Sequence, residues 1–152
     1  MQETTEQTLI KQAQNLTKEQ AVKKLFDWRS ELNARPNQIA PDGNWTTWLI
    51  LAGRGFGKTR TGAEWIRERV ESGMSKRIAL IGKTPADVRD VMIEGESGLV
   101  NISPLYNMPN YEPSKRRLTW DNGAIAQTFS SYEPDQLRGS QFDTAWADEM
   151  AS

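Results

Sequence analysis

The sequence predicts an α/β fold, a mainly parallel sheet flanked by helices. Three stretches carry that reading. "TTWLILA" (46–52) and "RIALIG" (77–82) are apolar, β-branched runs without two-residue alternation, as in strands buried on both faces. Between them, "TRTGAEWIRERVES" puts Gly62, Ala63, Ile66 and Val70 on one helical face and Arg60, Glu64, Arg67 and Glu71 elsewhere. Strand, tight loop, helix and strand within about thirty residues make a βαβ unit, and the right-handed crossover rule makes its strands parallel.

The other elements follow in chain order. Residues 1 to 16 are polar and read as frayed. Thr17 with Gln20 has capping-box spacing, and Ala21, Leu25, Trp28 and Leu32 recur at helical intervals, so a helix to Asn33 is expected. "RPNQIAPDGNW" (35–45), with two prolines and a glycine, reads as a loop. Gly73 stands where a glycine ends the central helix. A further helix is expected from Pro85 to Glu94, stopping near Gly95. In "RRLTWDNGAIAQTFS" (116–130), Asn122-Gly123 between two strand-like runs predicts a hairpin appended to the parallel sheet. "EPDQLRG" (133–139) reads as one helical turn, and "FDTAWADE" (142–149) as a short strand ending in two acids.

Composition narrows the chemistry. The 152 residues suffice for one domain with a core, and a net charge of -1 gives no global basic field for nucleic acid. There is no cysteine and no histidine, which excludes disulfides, thiolate zinc sites, Ser–His or Cys–His nucleophiles and imidazole acid–base catalysis. Catalysis would have to rest on carboxylates, Lys, Arg, hydroxyls, backbone amides or an oxygen-held metal. The longest apolar run, Trp48 to Ala52, is too short to span a bilayer. "MQETTEQTLI" has no secretory pattern, so a cytosolic location is the default expectation.

"AGRGFGKT", comprising Ala52, Gly53, Arg54, Gly55, Phe56, Gly57, Lys58 and Thr59, fits the phosphate-loop pattern with Ala in place of the first Gly. Glycines let the backbone curl so that N–H groups point at phosphate oxygens, and the following helix adds its dipole. Lys58 would reach the β- and γ-phosphates, Thr59 would offer its hydroxyl to Mg²⁺, and Arg60 opens the helix beside them. The expected cofactors are therefore ATP and Mg²⁺. Arg54 either stabilises charge on a γ-phosphate or points to solvent. Magnesium needs a further hard oxygen, for which Asp148 is the candidate; Glu149 would orient or deprotonate the attacking water.

"RPNQIAPDGNW", "WLILAGRGFGKTRTGAEW", "MIEGESGL", "WDNGA" and "DQLRGSQFDTAWADEMA" together closely resemble the large subunit of tailed-bacteriophage terminase, the motor that packages viral DNA. The resemblance runs from about Arg35 to the end, in the family's order. It implies a P-loop ATPase domain over 35–152 with a helical extension over 1–34. It implies that Lys58 and Thr59 are the phosphate and metal residues and that Arg54 is the arginine of the terminase phosphate loop. By the same likeness Gln38 would read the adenine edge, and Arg138 would act on a neighbouring subunit's ATP unless it caps a helix or pairs with Asp135. Lys83 and Arg89 resemble a nucleic-acid-contacting loop of helicase-like motors, and Lys115-Arg116-Arg117 is a second basic candidate; a solvated surface is the alternative for both.

The likeness also implies partners: double-stranded DNA, further large subunits in a ring, the small terminase subunit and the portal protein, in the cytoplasm of an infected bacterial host and with no membrane. The family's further core strands, coupling motif and nuclease domain are missing from these residues. The expectation is therefore an incomplete core with an exposed sheet edge, from an engineered fragment or a split or truncated gene. Two other functions compete with the packaging ATPase: a helicase-like P-loop ATPase outside packaging, and a non-enzymatic nucleotide-binding or assembly protein.

Overall fold

The computed structural model describes residues 4–149. Residues 1–3 of the polar start and Met150 to Ser152 of the final motif lie outside them. The chain divides into two compact units, Met1–Ile39 and Ala40–Ser152.

In the first unit, α1 spans Thr5–Gln14, where a frayed start is expected, and α2 spans Lys18–Leu25. The Thr17 cap forms as its spacing requires: Thr17 Oγ1 accepts from Gln20 N at 3.2 Å, and Thr17 N donates to Gln20 Oε1 at 3.0 Å. The helix does not reach Asn33. Side chains take over the backbone groups that the next turn would use: Asp27 accepts from Arg29 N, and Asn33 Nδ2 donates to the carbonyls of Leu25 and Asp27. Of the residues that recur at helical intervals, Leu25 and Leu32 are exposed, while Trp28 is buried.

The second unit holds a five-stranded sheet in the order β2-β3-β4-β1-β5. Strands β1 (Arg77–Gly82), β4 (Ile125–Ser130) and β5 (Thr144–Ala147) are parallel, with β1 between the other two. Strand β3 (Arg117–Thr119) pairs antiparallel with β4, and β2 (Asn110–Glu112) pairs antiparallel with β3 at the sheet edge. The expected hairpin is present around Gly123, whose φ is +87°, but it is not an appendage, because β4 is itself a partner of β1. The short strand β2 carries no sequence signal of its own.

Helix α3 (Lys58–Glu71) lies over one face of the sheet and buries Ala63, Ile66 and Val70 against Ile78, Leu80 and Trp146. The predicted apolar stripe is therefore the core face. The charged stripe is not simply solvated: Glu64 and Arg67 are both buried, and Glu64 joins Arg60 at 2.8 Å and Arg67 at 2.7 Å. A charge can be buried only when it is paired and hydrogen-bonded, and the i, i+3 and i, i+4 spacings on α3 supply the partners. Cover on both sheet faces is not found at β5, where Thr144 and Trp146 are buried and Ala145 and Ala147 exposed.

Residues Thr46–Ala52 form no strand. Leu49 and Leu51 are 71% and 85% exposed, and β5 pairs only with β1 among the described residues. An apolar run becomes a buried strand only between hydrogen-bonding neighbours, and this one has none. The expected βαβ crossover from this run into β1 is thus absent. The segment is seated instead by aromatic contacts: Trp45 lies 6.4 Å from Trp48 and 6.1 Å from Trp65 of α3, with Arg69 over the Trp65 ring. The expected helix 85–94 begins as one α-turn, α4 (Pro85–Asp87), and continues as a π-helix over Val88–Ile93. A short α5 (Leu99–Ile102) completes the layer.

Candidate functional site

The glycine-rich loop turns directly into α3. Gly55 and Gly57 adopt φ of +79° and +87°, backbone conformations that L side chains rarely take, and Gly57 is the N-cap. The first helical turn leaves backbone N–H groups without intrahelical partners, at the positive end of the helix dipole. Lys58 folds back over the loop, its ammonium donating to the carbonyls of Ala52 at 2.8 Å and Gly53 at 3.1 Å. Ala52, Phe56, Thr59 and Arg60 are partly buried, and Gly53 and Arg54 exposed. The Arg60 guanidinium is held by Glu64, so the structure gives it a local ion pair.

The two predicted halves of the site meet. Asp148 N continues the β5 ladder by donating to Ile81 O at 2.9 Å. Its side chain then receives the Thr59 hydroxyl at 2.9 Å, although 89 residues separate the two. Burial pushes the Asp148 carboxyl above the usual range; the Thr59 hydrogen bond opposes this, the neighbouring Glu149 charge adds to it, and Lys58 opposes it. Glu149 sits at φ +45°, a left-handed conformation that costs a non-glycine residue free energy and that clusters at functional sites.

Packing fixes this meeting. Trp146 and Asp148 share one face of β5, and Gly62 lies one turn beyond Thr59 on α3. A Cβ on Gly62 would fall 2.2 Å from Trp146 Nε1, so only glycine lets the indole come this close to the helix.

A cavity of about 640 Å³ opens at the C-terminal ends of β4, β1 and β5, where parallel sheets bind ligands. Thr59, Asp148 and Glu149 line it, together with Lys83, Thr84 and Tyr132. Sequence reasoning missed Tyr132 and placed Lys83 elsewhere. The available signal was position: Lys83 and Tyr132 directly follow buried parallel strands.

Arg138, Gln38, Arg89 and the basic run 115–117 are not among the residues that line the cavity. Arg138 pairs with Asp135 at 2.9 Å, both largely exposed. Gln38 belongs to the first unit; it is buried there, and its amide oxygen accepts from Arg35 N and Nε. The basic run is paired locally, Lys115 and Arg117 with Glu112, and Arg116 with Glu133. Arg89 is bound to Asp90.

The residues fit a magnesium–nucleotide group. A hydroxyl and a carboxylate already touch at the mouth of a helix N-terminus, and an ammonium lies on the loop beside them. Mg²⁺ ordinarily takes one or two protein carboxylates and completes its shell with phosphates and water.

The raised Asp148 carboxyl has a measurable consequence. A folded-state value above the unfolded one, about 3.9, gives stability that is present below the unfolded value and lost as pH rises through the folded one. Asp148→Asn is therefore expected to raise the urea unfolding midpoint at pH 7. The gain should shrink toward zero as the pH falls below about 4.

Fold and site define a class: a mixed α/β protein that gathers a glycine-rich loop, a hydroxyl and a carboxylate pair at the C-terminal ends of parallel strands. The family comparison is more specific. Residues 49–152 match the family described as terminase large subunit, T4likevirus-type, N-terminal. The chain belongs to this family, which ties it to phage DNA packaging. No curated protein and no solved structure matched the chain. Among the described residues, no helix is long and apolar enough to cross a membrane.

Proposed function

We propose that the chain binds and hydrolyses ATP as the motor part of a phage DNA-packaging terminase. The observation that carries this reading is the 2.9 Å contact between Thr59, at the start of α3 directly after the glycine-rich loop and Lys58, and Asp148 of the carboxylate pair. Thr59, Asp148 and Glu149 line one cavity, and Lys58 is not among its lining residues. In this reading the domain is of the P-loop type over residues 35–152. Lys58 releases the Ala52 and Gly53 carbonyls and turns to the phosphates, while the amides ahead of α3 hold their oxygens. Thr59 and Asp148 are the residues that would hold the metal. Bound Mg²⁺ would neutralise phosphate charge and orient the terminal group.

Glu149, next to Asp148 and lining the same cavity, positions water and takes its proton. Arg54, exposed on the loop, is poised to stabilise charge on the terminal phosphate; Arg138, exposed on its turn, is assigned to a neighbouring subunit's nucleotide. Gln38 would offer its amide to the adenine edge. The partners are double-stranded DNA, other copies in a ring, a small terminase subunit and a portal protein, in the cytoplasm of an infected host.

A second reading, nucleotide binding without turnover, is favoured by one observation: among the described residues, the run entering the loop, 46–52, has no strand partner to hold the loop rigid. Phosphate release from ATP and Mg²⁺ tests both. Turnover supports the ATPase; tight ATP binding with no release supports the second reading; absence of binding contradicts both.

A further inference from the structure

The cavity beside Asp148 extends beyond what a metal and one water require, and the end of β1 forms part of its wall through Gly82 and Lys83. Lys83 follows Gly82 there, between the ends of β4 and β5. Its backbone is fixed: Ser130 Oγ donates to the Lys83 carbonyl at 2.8 Å, and Ser131 N donates to the Gly82 carbonyl at 2.9 Å. A Cβ on Gly82 would meet Val88 Cγ2 at 2.7 Å, so the π-helix packs closely against this turn.

Charge singles out Lys83. The described lining residues include three carboxylates, Asp87, Asp148 and Glu149, and one basic side chain, Lys83. Asp87 is engaged by its cap, accepting from Thr84 N and Oγ1. A phosphate entering beside Asp148 and Glu149 meets like charge, which only cations offset.

We propose that Lys83, on the cavity wall that follows β1, is a second ammonium for the terminal phosphate of the nucleotide, in addition to Lys58. This rests on the ATP reading above. It moves Lys83 from the expected nucleic-acid contact to the nucleotide site. The neighbouring Arg89 does not share the role, since it is exposed and paired with Asp90.

The contact would involve the terminal phosphate only, so it should discriminate between nucleotides. Equilibrium binding of a non-hydrolysable ATP analogue and of ADP, each with Mg²⁺, is measured for the wild type, Lys83→Met and Lys83→Arg. Lys83→Met is expected to weaken the ATP analogue about tenfold, the weight of one charge-assisted hydrogen bond. ADP affinity should stay within about twofold, and Lys83→Arg should keep the preference for the triphosphate. An unchanged urea midpoint shows that the variant is folded. Equal loss for both nucleotides, or no loss, overturns the assignment. Loss of duplex-DNA binding with the ATP-to-ADP ratio intact also overturns it and returns Lys83 to the nucleic acid. Failure of the wild type to bind either nucleotide is a different result, and it sinks the ATP reading itself.

Discussion

Gly62→Ala is expected to destabilise the protein by about 3 kcal/mol. Helix propensity alone predicts the opposite, a gain of about 1 kcal/mol for Ala over Gly inside a helix. The clash should win. The added methyl would lie 2.2 Å from Nε1 and 2.3 Å from Cε2 of Trp146, atoms of a rigid and almost fully buried ring. Neither α3 nor β5 can give way cheaply, because α3 is anchored in the core by Ile66 and Val70 and β5 by its ladder to β1. Moving them apart also opens the Thr59–Asp148 contact, so any metal-dependent ligand affinity should fall with stability. Urea unfolding reads the first effect. Adding Trp146→Phe should restore part of the stability lost in Gly62→Ala, since the pair shares one contact and cannot be additive. A neutral or stabilising Gly62→Ala would mean that helix and strand are not packed as described.

The second large effect is chemical. Glu149→Gln preserves size, and glutamine can occupy the same backbone position. It removes the carboxylate's negative charge and with it the capacity to take a proton from water. If Glu149 is the general base, phosphate release should fall by about 10²–10⁴-fold, while ATP affinity changes by less than about twofold. Parallel loss of binding and turnover would instead make Glu149 a ligand for the nucleotide or its metal.

Much of this site was legible because its parts are local. The loop glycines, Lys58 and Thr59 are defined by spacing, and the stripe of Ala63, Ile66 and Val70 by helical period. Asp148 and Glu149 were legible as the end of a short strand, and the parallel register of β1 with β5 brings them to the loop. What failed was whatever depends on a neighbour. "TTWLILA" has the composition of a central strand, but strand formation requires partner hydrogen bonds that the described residues do not supply. Leu25 and Leu32 fit a helical period, yet Asp27 and Asn33 captured the local backbone first. Burial of Glu64 and Arg67 is invisible to a polarity scale, because pairing removes the cost that the scale assumes. The π-helix at 88–93 carries no pattern distinct from an α-helix. Lys83 and Tyr132 become site residues through strand order, and their positions just after buried strands are the local trace of it.

The account depends on the start of α3 being a seat for polyphosphate. Isothermal titration of ATP with Mg²⁺ into the wild-type chain and Lys58→Ala tests it most directly. The wild type should bind, more tightly with Mg²⁺ than without it, and Lys58→Ala should bind at least about a hundredfold more weakly, having lost two charge-assisted contacts. Equal affinity in the two proteins, or a wild-type affinity indifferent to magnesium, would contradict it.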